Sequence, residues 1–137
     1  MYDDNYNTCS DTYVTLRVYT DNMHPEKITE YLTIPPTQIQ VKGDKNELRR
    51  NKLIELNGWF LSTENTIQSK DIRRHLDFLA DTLLPVKSKL KSLQNDGVKI
   101  DISCYWQSES GQGGPTLSPQ QLTKLADLGV EVWFDLY

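Results

Sequence analysis

The sequence predicts a single α+β domain with a mainly antiparallel sheet whose helices pack on one face, and three observations lead there. Its 137 residues fit one domain and leave little room for a second core. Stretches that alternate apolar and polar residues take turns with stretches of helical spacing, in the order β-α-β-β-α-β-α-β. Each alternating stretch is apolar on one side only, so helices are expected over that side alone. Hydrophobic residues make up 37% and charged ones 25%, the balance of a folded soluble chain rather than a disordered one. Fifteen basic and nineteen acidic side chains give a net charge of −4, which argues against a general duplex-DNA binder.

Residues 1–12 read as a flexible acidic tail and 13–137 as the domain. Tyr13–Tyr19 alternates, with Val14, Leu16 and Val18 on one side and Tyr13, Thr15, Arg17 and Tyr19 on the other. A short helix follows, with Pro25 in its first turn and Ile28, Tyr31 and Leu32 as its apolar stripe. Pro35-Pro36 ends it. The stretch 37–43 suggests a short strand, and 42–52 an exposed loop with five basic and two acidic side chains. In the next strand, Trp59 and Leu61 oppose Gly58 and Phe60.

From Asp71 to Leu93 an apolar stripe recurs at spacings of three and four, interrupted by Pro85, which predicts a kink or two helices meeting near Leu84. Arg73, Asp77 and Asp81 are expected on its outer face, with Arg73 and Asp77 as an i, i+4 pair. His75 is expected on a solvated surface near Asp71. Val98–Trp106 alternates strictly, with Ile100, Ile102, Cys104 and Trp106 inward. Ser118, Pro119 and Gln121 form a capping box for a helix buried through Leu122, Leu125 and Leu128. The last strand turns Val132, Phe134 and Leu136 inward and Glu131, Trp133, Asp135 and Tyr137 outward. This order of elements suggests a variant of the ferredoxin-like arrangement.

The polar, acidic start has no secretory pattern, and no apolar run is long enough to span a membrane. Two cysteines, Cys9 and Cys104, fit a reducing, cytoplasmic setting, with Cys104 a small buried hydrophobe. No metal cluster, paired acid-base carboxylates or nucleophile-base pair is identifiable; catalytic residues, metal and cofactor are all expected to be none.

Several motifs occur together along the chain: His24-Pro25-Glu26, Asn57-Gly58-Trp59-Phe60, and the run from Cys104 through Gly113-Gly114-Pro115 to Ser118-Pro119. With the acidic-aromatic last strand, they resemble the bacterial domain-of-unknown-function family 4279 from about Val14 to Tyr137. The resemblance implies a small cytoplasmic α+β protein without an assigned activity. Trp59, Trp106, Gly113, Gly114, Pro115 and Asp135 match its signature but receive no chemical role from it. The basic loop before Trp59 is longer than the family pattern.

Two regions are candidates for contact. The loop containing Glu109, Gly113, Gly114 and Pro115 lies between a strand and a helix, where contact residues concentrate. It makes a poor phosphate cradle, since no lysine follows and Pro115 lacks an amide proton. The second region is the sheet side opposite the helices, where Tyr13, Tyr19, Tyr105, Trp133 and Tyr137 are interleaved with Arg17, Lys99, Asp101 and Asp135. Aromatic rings with polar tips favour protein interfaces. The expected binding residues are therefore Arg17, Trp59, Tyr105, Trp106, Glu109, Gly113, Gly114, Pro115, Trp133 and Asp135. The first expectation is a non-enzymatic interaction protein, such as an immunity protein neutralising a toxin, with a protein partner or self-association and no membrane. An alternative is a small-molecule binder or enzyme with a pocket between Trp106, Trp133 and the glycine loop. A third is single-stranded nucleic acid, with the rings stacking bases and Lys42–Lys52 holding phosphates.

Overall fold

The alternation that marks the first strand extends further than Tyr13–Tyr19. In the computed structural model, which describes residues 1–137, β1 runs Cys9–Thr20. Val14, Leu16 and Val18 are fully buried. The polar start joins the strand because Thr12 is also buried, its Oγ1 donating to Tyr105 O at 2.6 Å. A register shift between Cys9 and Asp11 accommodates it. The first strand therefore starts at Cys9, four residues before Tyr13.

Helix α1 (Pro25–Leu32) starts where expected. His24 caps it, Nδ1 accepting from Glu26 N at 3.1 Å, and Pro25 fills the first turn. Ile28 and Leu32 are buried, while Tyr31 is partly exposed. β2 (Gln38–Gln40) is only three residues long. The expected basic loop holds a small hairpin, β3 (Lys45–Asn46) with β4 (Lys52–Leu53), around a 3₁₀ turn at Glu47–Arg49. β5 (Asn57–Ser62) follows.

Asp71 caps α2 (Ile72–Leu83), and a 3₁₀ turn at Leu84–Val86 joins it to α3 (Lys87–Asn95). That turn is the predicted break: Pro85 cannot donate to the preceding turn. β6 (Lys99–Ser108), α4 (Pro119–Leu128) and β7 (Glu131–Leu136) complete the chain.

The main sheet has the order β2-β5-β1-β6-β7. β1 is antiparallel to both β5 and β6, and β5 is antiparallel to β2. Hence β1 and β2 run parallel with β5 between them, and β5 and β6 run parallel with β1 between them. These two interleaved β-α-β units form the ferredoxin-like pattern. Through α4, β7 joins β6 in parallel as a fifth strand. All helical stripes press on one side of this sheet, where Trp59, Ile102, Cys104 and Trp106 meet Ile28, Leu76, Leu79, Leu83 and Leu90 in one core.

Four helix assignments differ from expectation. Asp77 is buried between α2 and α4 rather than exposed, accepting from Gln121 Nε2 at 2.9 Å, Lys124 Nζ at 3.2 Å and the Tyr2 hydroxyl. Arg73 pairs instead with the cap residue Asp71, at 2.7 Å. His75 is buried, not solvated. Its Nε2–H donates to Ser69 O at 2.8 Å, which leaves Nδ1 to accept from Thr63 Oγ1 at 2.6 Å. On α4, Gln121 takes the buried place expected of Leu122, because its Oε1 accepts from Ser118 N at 2.8 Å and its amide serves Asp77.

Residues 1–8, expected as part of a free tail, lie against α2 and the loop after β6. Asp3 N donates to Asp71 Oδ2 at 2.7 Å, and Arg74 Nε donates to Asp4 Oδ1 at 2.8 Å. Tyr6 hydroxyl donates to Gly114 O at 2.7 Å.

Candidate functional site: the outer sheet face

Strand alternation puts every second side chain of β1, β5, β6 and β7 on the side without helices. Register then decides which of them meet. Tyr13 stands opposite Tyr105, Arg17 opposite Asp101 and Phe60, Tyr19 opposite Lys99, and Trp133 opposite Ser103. Tyr13 and Tyr105 stack at 4.8 Å, and Tyr137 tilts onto Tyr105 at 5.4 Å. Tyr19 meets Phe60 edge-on at 5.6 Å. Phe60, two residues beyond Gly58 on the same side of β5, belongs to this aromatic set.

Arg17 organises the centre. Its Nε and NH2 donate to the two Asp101 oxygens at 2.8 and 2.6 Å. The hydrogen-bonded Asp101 carboxylate raises the Arg17 pKa and keeps it charged. The guanidinium also lies 5.3 Å from the Trp133 ring centre and 5.9 Å from that of Tyr19. Burial, reinforced by Glu64, raises the Tyr13 pKa. With Arg17 matched to Asp101, the charges carried by β7 itself are acidic, Glu131 and Asp135, and Lys99 of β6 lies near Glu131. Beside β2, the face sinks into a shallow, mostly polar depression lined by Tyr13, Thr15, Gln38, Gln40, Phe60 and Ser62.

Of the expected binding residues, Arg17, Tyr105, Trp133 and Asp135 share this face, and Trp133 is 49% exposed. Trp59 and Trp106 do not belong with them. They are 0% and 2% exposed in the core on the opposite side of the sheet. The Trp59 indole N–H is held by Thr29 Oγ1 at 3.0 Å. Trp106 packs edge-on to Tyr6 at 6.5 Å. Trp106 and Trp133 project from opposite faces, so they cannot wall one pocket beside the glycine loop.

That loop is backed by the N-terminal segment. Glu109 N donates to Thr8 O at 2.8 Å, and Ser108 Oγ donates to Gln112 O at 2.9 Å. Gly113 is the demanding glycine: its φ is +81°, and an added Cβ would sit 2.6 Å from the Thr8 side chain. Gly114, expected to matter equally, has open space around it. Pro115 is half-buried beyond it, and Glu109 is exposed. The Tyr6 contact had no sequence signal, because one tyrosine in a polar stretch has no periodicity to place it.

An α+β sheet with a filled core on one side and an uncovered aromatic side on the other is the class of molecule these features define. The chain belongs to the family described as a domain of unknown function (DUF4279), which matches residues 9–137. No curated protein and no solved structure matches it.

Proposed function

We propose that this chain is a non-enzymatic interaction protein that docks a protein partner on the outer sheet face, and that the partner is a toxin it neutralises in the bacterial cytoplasm. One observation supports docking above the rest: six aromatic rings share with the Arg17–Asp101 pair a face that no helix covers. Rings of this kind bury area on association at low entropic cost while keeping their polar tips bonded.

The remaining chemistry supports a non-enzymatic role. His24 caps α1, and His75 is bonded within the core. Burial raises the Cys104 thiol pKa to about 12, far from a thiolate nucleophile at neutral pH. No three His, Cys, Asp or Glu side chains are grouped to hold a metal. No helix is long and apolar enough to cross a membrane. A small acidic chain of this kind suits neutralisation of a toxin by occlusion. The same rings could stack nucleic-acid bases, but Glu131 and Asp135 repel phosphates along the exposed β7 side.

The test is co-expression with a toxin encoded beside the gene, followed by co-purification. Wild type should rescue growth and hold the toxin. Trp133→Ala and Tyr105→Ala should lose both, while Phe78→Ala, at an exposed ring on α2, should keep both. Equal capture by all variants, or no capture by wild type, overturns the proposal.

A further inference from the structure

We infer that the open edge of β7 receives an extended segment of the partner as a sixth strand, and that this segment carries Lys or Arg side chains on the outer face. The inference rests on the docking reading above and adds where the partner's backbone lies and which charge it carries.

The two sheet edges are unequal. β2 has three residues and is preceded by Pro35-Pro36, a short, proline-guarded edge. β7 has six residues, Glu131–Leu136, without proline, glycine or bulge, and is paired on one side only. Its backbone direction follows from its end. Tyr137 N donates to Trp106 O at 3.1 Å, and Tyr137 O accepts from Ser108 N at 2.8 Å, so this residue faces β6. In a parallel ladder successive residues face opposite neighbours, which turns the N–H and C=O groups of Val132, Phe134 and Leu136 to the open side. Those groups form a template for another strand.

Side chains specify the guest. On the outer face Glu131 and Asp135 bracket Trp133, and a neighbouring strand brings its own side chains about 5 Å from them. Lys or Arg there would meet two carboxylates and an indole that already accepts one guanidinium, Arg17, at 5.3 Å. On the inner face, Val132, Phe134 and Leu136 favour apolar residues at the alternate positions. A second copy fits poorly, since it would bring four carboxylates, Glu131 and Asp135 from each chain, to one joint. Phosphate backbones meet the same repulsion.

The probe is a nine-residue synthetic peptide alternating lysine with valine, titrated into the full chain and followed by amide NMR and hydrogen exchange. Binding should slow exchange of the Val132, Phe134 and Leu136 amides and should weaken with salt. The same peptide with glutamate for lysine should not bind. Leu136→Pro removes one outward donor without breaking a bond to β6 and should weaken binding about fivefold. Glu131→Lys combined with Asp135→Lys should weaken it about tenfold.

Absence of peptide binding overturns the inference, as does equal binding by the Leu136→Pro variant or equal binding of the glutamate peptide. So does self-association that blocks these amides, or protection of the same amides by a single-stranded oligonucleotide. Were the toxin lost on Trp133→Ala and Tyr105→Ala but not on Leu136→Pro, the edge inference would fall while docking on the face stood.

Discussion

Arg17 and Asp101 face each other across β1 and β6 and close a two-pronged ion pair, at 2.8 and 2.6 Å, in the middle of the aromatic face. Both side chains remain more than a quarter exposed, so the pair orients Trp133 and Tyr19 more than it stabilises the fold. A double-mutant cycle with Arg17→Ala and Asp101→Ala should give a coupling of about 0.5–1 kcal/mol in urea unfolding, shrinking with salt. A coupling above about 2 kcal/mol would make the pair a folding element instead.

The tryptophans separate core from surface. Trp106→Ala removes a fully buried ring and should cost about 3–5 kcal/mol in unfolding free energy. Trp133→Ala should cost about 1 kcal/mol or less, because half of that ring already meets water. Similar losses in both variants would refute the two-sided assignment of the sheet.

His75 makes stability depend on pH. Burial lowers its pKa, opposed in part by the Ser69 carbonyl and the carboxylates of Asp11 and Asp71. The unfolded chain therefore binds the proton more readily than the folded one. Stability from neutral His75 is complete above about pH 6.5 and declines below it, by at most about 1.4 kcal/mol per pH unit, until the folded pKa is passed. Urea unfolding at pH 7.5 and 5.5 should show this decline in wild type, and His75→Gln should remove this histidine's share of it.

The glycine pair gives a sharper contrast. Gly113→Ala should destabilise by about 1–3 kcal/mol, since its φ is +81° and the new methyl meets Thr8. Gly114→Ala should change stability by less than about 1 kcal/mol in the same thermal or urea assay, as its added carbon meets nothing within 4 Å. Adding Thr8→Ala to Gly113→Ala should recover the part due to crowding and leave the part due to φ.

Most of the sheet was legible because one-sided burial writes itself into alternation, as in Val14–Leu16–Val18 and Ile100–Ile102–Cys104. The α2–α3 break was legible because Pro85 interrupts an otherwise regular stripe. What escaped were residues buried for polar reasons. Asp77, Gln121 and His75 look solvent-facing to any hydropathy pattern, yet each lies in the interior with specific hydrogen-bond partners. Cys9–Thr12 escaped likewise, since a bulged polar stretch carries no alternation. At the site, the facing of Tyr105 and Trp133 followed from strand parity alone. The Tyr13–Tyr105 and Arg17–Asp101 contacts needed the register between strands, which no local pattern contains.

The N-terminal segment has a practical consequence for anyone handling this protein. Tyr2 and Asp4 fasten it to α2 on the helix layer, and Met1 is fully exposed there. A sensor-chip tether or fluorescent label attached through Met1 would leave the aromatic side turned toward solution. The same attachment through Tyr137 would crowd the β7 rim and blunt the very measurements meant to examine it.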